Sequence, residues 1–211
     1  MASYLRKTYL IAYNAASAVA WATVLGRVVS VLYLKGNPGL VPVSVDTFVR
    51  NTQTFAVLEI LHSLLGIVPS PLFTTVMQVA SRLVLMWGVT YPFPEVTVSP
   101  WYSSMLIAWS LTEVIRYTYF AIKEAGMPIP YWLHWLRYSA FSVLYPVGIS
   151  SELAEMYLSW NGPSAHRANW YPWAIAAVAS TYIYGAPTLY SYMVKQRKKQ
   201  LGGAAKVKKA Q

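Results

Sequence analysis

Apolar runs about as long as a bilayer is thick recur along this chain, and they restrict it to helices packed in lipid. The first covers residues 8–25 and continues past Gly26 and Arg27 to Leu34. Others lie at about 52–68, 72–90, 101–122, 131–158 and 170–194. A hydrocarbon core near 30 Å needs about 20 residues of helix, which each run supplies. The connecting segments hold the breakers: Gly36, Pro38, Gly39 and Pro42 in 35–50, then Pro69-Ser70-Pro71. Pro92, Pro94 and Pro100 come next in 91–100, and Gly126, Pro128 and Pro130 in 123–130, with a last loop at 159–169. The expected fold is all-α: a polytopic membrane protein, a bundle of six transmembrane helices with cytoplasmic termini. Two alternatives stay open. The second and third runs could form a re-entrant pair around Pro69, and the first could be a signal peptide cut near Ala18-Val19-Ala20. Against the latter, signal-peptide cores are usually about 7–15 residues long.

Composition bears on the class. Only 11% of the 211 residues are charged, against about 25% in soluble domains. With 56% hydrophobic and 15% aromatic residues, disorder is excluded. Seventeen Lys and Arg against seven Asp and Glu give a net charge of +10. Much of that excess is Lys195, Arg197, Lys198, Lys199, Lys206, Lys208 and Lys209, with no acid among them. Basic residues directly after an apolar run read as the cytoplasmic flank of a membrane helix, not as a nucleic-acid arm. Residues 1–194 are therefore expected to form the membrane domain and 195–211 a basic cytoplasmic tail, with Arg6 and Lys7 on the same side. Lys208-Lys209-Ala210-Gln211 matches the dilysine retrieval signal of endoplasmic reticulum membrane proteins. The absence of cysteine removes disulfides, thiol catalysis and thiolate metal sites. His62, His134 and His166 fall in separate segments, and no carboxylates show ligand spacing, so no metal or cofactor is expected.

Ionisable residues interrupt the runs: Arg27, Glu59, His62, Arg82, Glu113, Arg116, Arg137, Glu152 and Glu155. Charges in lipid are costly and face partners or water-filled spaces. Glu59 with His62, and Glu113 with Arg116, stand three apart and can meet on one helix face. Interhelical pairing that fixes packing accounts for most such groups, but so many in a small bundle also point to a task. The densest stretch is 134–156, where Tyr138, Tyr145 and Glu152 recur every seventh residue. That spacing returns each to nearly one helix face, about 10.5 Å apart along the axis. Pro146, inside the stretch, is expected to kink the helix.

These residues also carry a family likeness. Leu136-Arg137-Tyr138, Phe141, Leu144-Tyr145-Pro146-Val147-Gly148 and Glu152 resemble the signature of the very-long-chain (3R)-3-hydroxyacyl-CoA dehydratases. Tyr9-Leu10, Tyr13-Asn14, Leu58–Glu59 with His62, Gln78–Arg82, and Trp109-Ser110 with Glu113–Arg116 agree too, and Phe93-Pro94-Glu95-Val96 resembles plant-type members. The stretch from His62 to Ser70 resembles a tyrosine phosphatase loop, but Ser63 replaces the cysteine and Pro69 the arginine, which excludes thiolate chemistry.

The resemblance implies a six-span endoplasmic reticulum enzyme that dehydrates (3R)-3-hydroxyacyl-CoA to trans-2-enoyl-CoA, the third step of fatty-acid elongation. It carries the catalytic pair to Tyr145 and Glu152. Supporting positions map to Arg137, Gly148, Glu59, Gln78, Arg82 and Arg116, and Tyr138 and Glu113 join them from the same motifs. Dehydration needs a base for the C2 proton and an acid for the C3 hydroxyl. Ordinary pKa values of about 4.3 and 10 suit Glu152 as base and Tyr145 as acid at neutral pH; the reversed assignment stays open. Arg137 is a candidate to hold the carboxylate ionised. The acyl chain is expected in an apolar slot between helices, with membrane lipid around the bundle and the CoA head on the cytoplasmic face. The elongase and reductases of the cycle are candidate partners. A non-catalytic scaffold binding acyl-CoA or elongase subunits is the alternative; a transporter lacks the inverted repeat it needs.

Overall fold

A computed structural model describes residues 2–162 and 169–208, with side chains for 4–162 and 169–202. His166 and Lys209–Gln211, hence most of the expected retrieval signal, lie outside the described residues. The chain forms α1 (Ala2–Lys35), a 3₁₀ turn at Pro38–Leu40, α2 (Val41–Phe55), α3 (Val57–Leu64) and α4 (Leu72–Leu83). A π-helical segment, Val84–Thr90, extends α4, and it leads on to α5 (Pro100–Ala125), α6 (Tyr131–Ser139), α7 (Phe141–Asn161) and α8 (Tyr171–Lys208). No strand occurs among the described residues, and the protein is all-helical.

Two helical stretches, Tyr4–Lys35 and Leu72–Thr90, are long and apolar enough to cross a membrane. The other four runs do not meet that test, and local features separate them from it. Two are split, at Ala56 and Ala140; of the pieces only α7, with 21 residues, is long enough, and it carries Glu152 and Glu155. The third, α5, carries Glu113, Arg116, Lys123 and Glu124, and α8 is diluted by Tyr182, Tyr184, Tyr190 and Tyr192.

The fifth run is interrupted away from its proline. Pro146 lies inside α7, and the interruption comes earlier, at Ala140. There the Ser142 hydroxyl donates to the Ser139 carbonyl (2.8 Å), and the Val143 N–H turns to Ala140 instead (3.2 Å). The backbone stays in the right-handed helical region through this joint, with Ala140 at φ −60° and ψ −26°.

The expected loop at 35–50 is also corrected, because most of it is helical. Asn37 caps the 3₁₀ turn by accepting from Gly39 N–H at 2.9 Å. Pro38 and Pro42 sit in first turns, where a missing N–H has no helical partner to lose. Val41, Val45 and Val49 then enter the core one turn apart.

At the centre stands α5, packed between α1 and α7. Ser99 caps its start by accepting from Tyr102 N–H. Gly126 ends it in the left-handed conformation (φ +76°), with Met127 N–H bonded to Ile122 C=O at 3.2 Å. Trp21, Val24 and Val28 of α1 meet Tyr102, Met105, Leu106 and Trp109 of α5 in one apolar cluster that includes Met156 of α7.

Candidate active site

Tyr145 and Glu152 lie on the side of α7 that meets α8. The Tyr145 hydroxyl donates to the Ala186 carbonyl at 3.2 Å. Glu152 accepts from the Tyr182 hydroxyl at 2.7 Å and from the Trp109 indole N–H at 2.8 Å. Tyr182 and Ala186 stand one turn apart on α8, so one face of that helix serves both groups. Glu152 is 9% exposed and Tyr145 half-buried. Tyr138 leaves the expected stripe and turns toward α5. Its ring packs on His134 (4.9 Å) and Tyr119 (6.1 Å).

Four charged residues form a second cluster. Arg116 holds Glu59 through two bonds, 3.0 and 2.7 Å, and Glu113 through Nε at 2.7 Å. Arg82 donates to the other Glu113 oxygen, and the Tyr117 hydroxyl donates to Glu59. Two guanidiniums and two carboxylates from α3, α4 and α5 therefore cancel in charge. The expected Glu113–Arg116 pair forms, but Glu59 and His62 do not pair. Glu59 takes the bidentate guanidinium, which a single imidazole cannot match. His62 bonds Tyr9 of α1 at 2.7 Å. Trp109 links the clusters, with the Arg82 guanidinium 5.0 Å from its ring centroid.

Arg137 is not brought to Glu152. It lies over Phe120 (5.6 Å) and Tyr138 (5.7 Å), and its Nε is buried without a partner among the described residues. Gln78 is exposed on α4. Surface concavities occur beside Asp46, Arg50 and Tyr91, and over Tyr131, Trp132 and Trp135; neither is lined by Tyr145 or Glu152. Tyr182 and Trp109 bond the Glu152 carboxylate directly.

Residues 53–203 match the family described as protein tyrosine phosphatase-like protein, PTPLA. The chain belongs to this family. It is 40% identical over 217 residues to the very-long-chain (3R)-3-hydroxyacyl-CoA dehydratase hpo-8 of Caenorhabditis elegans, covering 96% of this chain and 98% of the worm protein. Identity is 41% over 214 residues to the rice very-long-chain (3R)-3-hydroxyacyl-CoA dehydratase PASTICCINO 2A (Oryza sativa subsp. japonica), covering 96% of each. To the human very-long-chain (3R)-3-hydroxyacyl-CoA dehydratase 2 it is 33% over 219 residues, covering 97% of this chain and 85% of the human protein. No solved structure matches.

The phosphatase-like segment of this PTPLA protein is built against anion binding. Ile67 and Val68 N–H both point to the His62 carbonyl (2.8 and 3.2 Å), and Gly66 N–H points to Ser63. Ser63 Oγ closes the loop on the Ser70 carbonyl at 2.8 Å. A phosphate cradle needs such N–H groups turned toward the ligand.

Gly148 lies where α7 approaches α5, yet a Cβ there would sit 3.9 Å from Ala108 Cβ, an ordinary contact. Gly148→Ala is therefore expected to be as stable as the parent or up to about 1 kcal/mol more so, from helix propensity. Thermal unfolding in detergent checks this, and a clear drop in midpoint would contradict the geometry.

Trp109 and Tyr182 were not legible as site residues. Tyr182 is one of several tyrosines on its helix, and its near neighbour Tyr184 is 80% exposed. Trp109 had one signal: it precedes Glu113 by a single helical turn inside a family motif.

Proposed function

We propose that this chain is a very-long-chain (3R)-3-hydroxyacyl-CoA dehydratase, a hydro-lyase that forms trans-2-enoyl-CoA and water in the third step of fatty-acid elongation. The observation that carries the reading is the placement of Tyr145 and Glu152 on one side of α7, against residues a turn apart on α8. Identity to dehydratases across nearly the whole chain supports it. Glu152 takes the C2 proton, and the electron pair forms the C2–C3 double bond as the C3–O bond breaks. Tyr145 delivers its proton to the departing hydroxyl, which leaves as water. The proton on Glu152 then returns through solvent to the tyrosinate, restoring both groups. For this the Tyr145 O–H turns from the Ala186 carbonyl to the substrate hydroxyl, while Tyr182 stays on Glu152.

The supporting positions differ in where they act in this reading. Glu59, Arg82, Glu113 and Arg116 fix α3, α4 and α5 around the site, while Gly148 lies where α7 faces α5. Arg137 and Tyr138 border the α6–α7 joint, and Gln78 faces outward on α4.

The bundle spans the endoplasmic reticulum membrane six times, α2–α3 and α6–α7 each acting as one broken span. Residues 1–194 form the dehydratase domain and 195–211 a basic cytoplasmic tail. Exposed apolar side chains on several helices, among them Val19, Leu61, Phe73 and Ile183, support a lipid-facing surface. Two contacts support termini on one side: Lys7 Nζ lies 3.7 Å from the Gly126 Cβ position, and Arg197 Nε donates to Ser139 Oγ at 3.0 Å. The elongase and reductases of the cycle are its partners in the membrane. The test is conversion of (3R)-3-hydroxypalmitoyl-CoA by the purified chain in nanodiscs. No enoyl product from monodisperse protein would leave the scaffold reading in its place.

A further inference from the structure

Glu152 is a buried carboxylate whose two oxygens each accept one hydrogen bond, and both donors are neutral. Trp109 Nε1 binds Oε1 at 2.8 Å, and the Tyr182 hydroxyl binds Oε2 at 2.7 Å. Among the described residues, no Lys, Arg or His forms a salt bridge with it. This arrangement suits a base. Hydrogen bonds to the charged form stabilise it at some cost in basicity, a smaller cost than that of a full positive charge hydrogen-bonded at the same place. Two donors from different helices, α5 and α8, also fix the carboxylate plane. They occupy about half of the lone-pair positions of a carboxylate, leaving others for a substrate proton.

Tyr182 is set apart from the tyrosines that follow it on its helix. It packs against the central apolar cluster, while Tyr184 and Tyr192 are 80% and 53% exposed. Ala186, one turn on, meets Tyr145.

We infer that Tyr182 is a positioning residue for the dehydration, holding the Glu152 carboxylate oriented and ionised toward the C2 proton while Trp109 anchors its other oxygen. The phenol keeps its own proton and does not touch the substrate. This rests on the assignment of Glu152 as the base.

The experiment uses the full chain in nanodiscs with (3R)-3-hydroxypalmitoyl-CoA. Tyr182→Phe keeps the ring and removes only the O–H. It is expected to lower kcat about 10- to 100-fold, the worth of one hydrogen bond to a charged group, with KM within about twofold. Its unfolding midpoint should stay near that of the parent. Infrared spectroscopy supplies a readout that a packing role would not move. The carboxylate band assigned by its loss in Glu152→Gln should shift in Tyr182→Phe and stay in place in Tyr184→Phe. Parental kcat in folded Tyr182→Phe, or an unshifted band, overturns the inference. The two readings fail differently. A parent chain without activity sinks the enzyme, whereas an active parent, inactive Glu152→Gln and fully active Tyr182→Phe sink only the role of Tyr182.

Discussion

Glu152→Gln is expected to reduce turnover of a (3R)-3-hydroxyacyl-CoA by about 10²- to 10⁴-fold, the range supplied by a positioned general base. Tyr145→Phe should fall into the same range through loss of the acid. Both substitutions preserve shape, and the contacts explain why both should fold. In Glu152→Gln the amide oxygen can still accept from Trp109, and the new N–H₂ can donate to the Tyr182 oxygen, since a hydroxyl also accepts. In Tyr145→Phe one 3.2 Å bond to the Ala186 carbonyl is lost, at a half-buried position. Product formation by mass spectrometry, beside size-exclusion and unfolding profiles, separates chemistry from stability. Combined, the two losses should not multiply, because residues acting in one step behave as a unit. Near-parental turnover by either folded variant would remove that residue from the mechanism.

How far the sequence foretold this site can be judged residue by residue. Apolar length and breaker spacing placed most helix ends within a few residues, because those signals are local. Residues 35–50 were misread because proline marks a break only in a helix interior, and Pro42 stands in a first turn. The seven-residue spacing of Tyr145 and Glu152 held, since both lie within α7 and share its phase. Tyr138 did not: it lies on α6, across the joint at Ala140, and packs on Tyr119 and His134. No pattern of period seven can register that. Glu113 and Arg116 met as their spacing foretold, whereas Glu59 was claimed by a guanidinium from another helix. Arg137 and Tyr182 show the same limit from opposite sides. Charge pointed to Arg137 as the neighbour of Glu152, and packing put a neutral phenol there instead.

Arg116→Met is expected to destabilise the fold by about 3–5 kcal/mol, as breaking a buried ion pair from one side does. The loss is a large part of a total stability of about 5–15 kcal/mol. One guanidinium holds two carboxylates here, Glu59 through both terminal nitrogens and Glu113 through Nε. Without it, Glu59 keeps only the Tyr117 hydroxyl and Glu113 keeps Arg82, and the cluster carries one uncompensated negative charge. The Glu59 side chain, which loses its only cation, is 18% exposed, so water replaces the lost partner only in part. Arg116→Lys should fall between, because an ammonium lacks the planar fork that grips Glu59 twice. The decisive comparison is Arg116→Met with Glu59→Met. That pair removes one charge of each sign and leaves Arg82 and Glu113 matched, so much of the lost stability should return. If the double variant were no more stable than Arg116→Met, the loss would stem from packing around the arginine stem, not from the orphaned charge. Activity should track the same cluster at one remove, because Arg82 lies over the Trp109 ring whose N–H holds Glu152. A double variant that recovers its unfolding midpoint but lets Arg82 shift would fold normally and turn over slowly, which separates the cluster's part in the fold from its part in aiming the base.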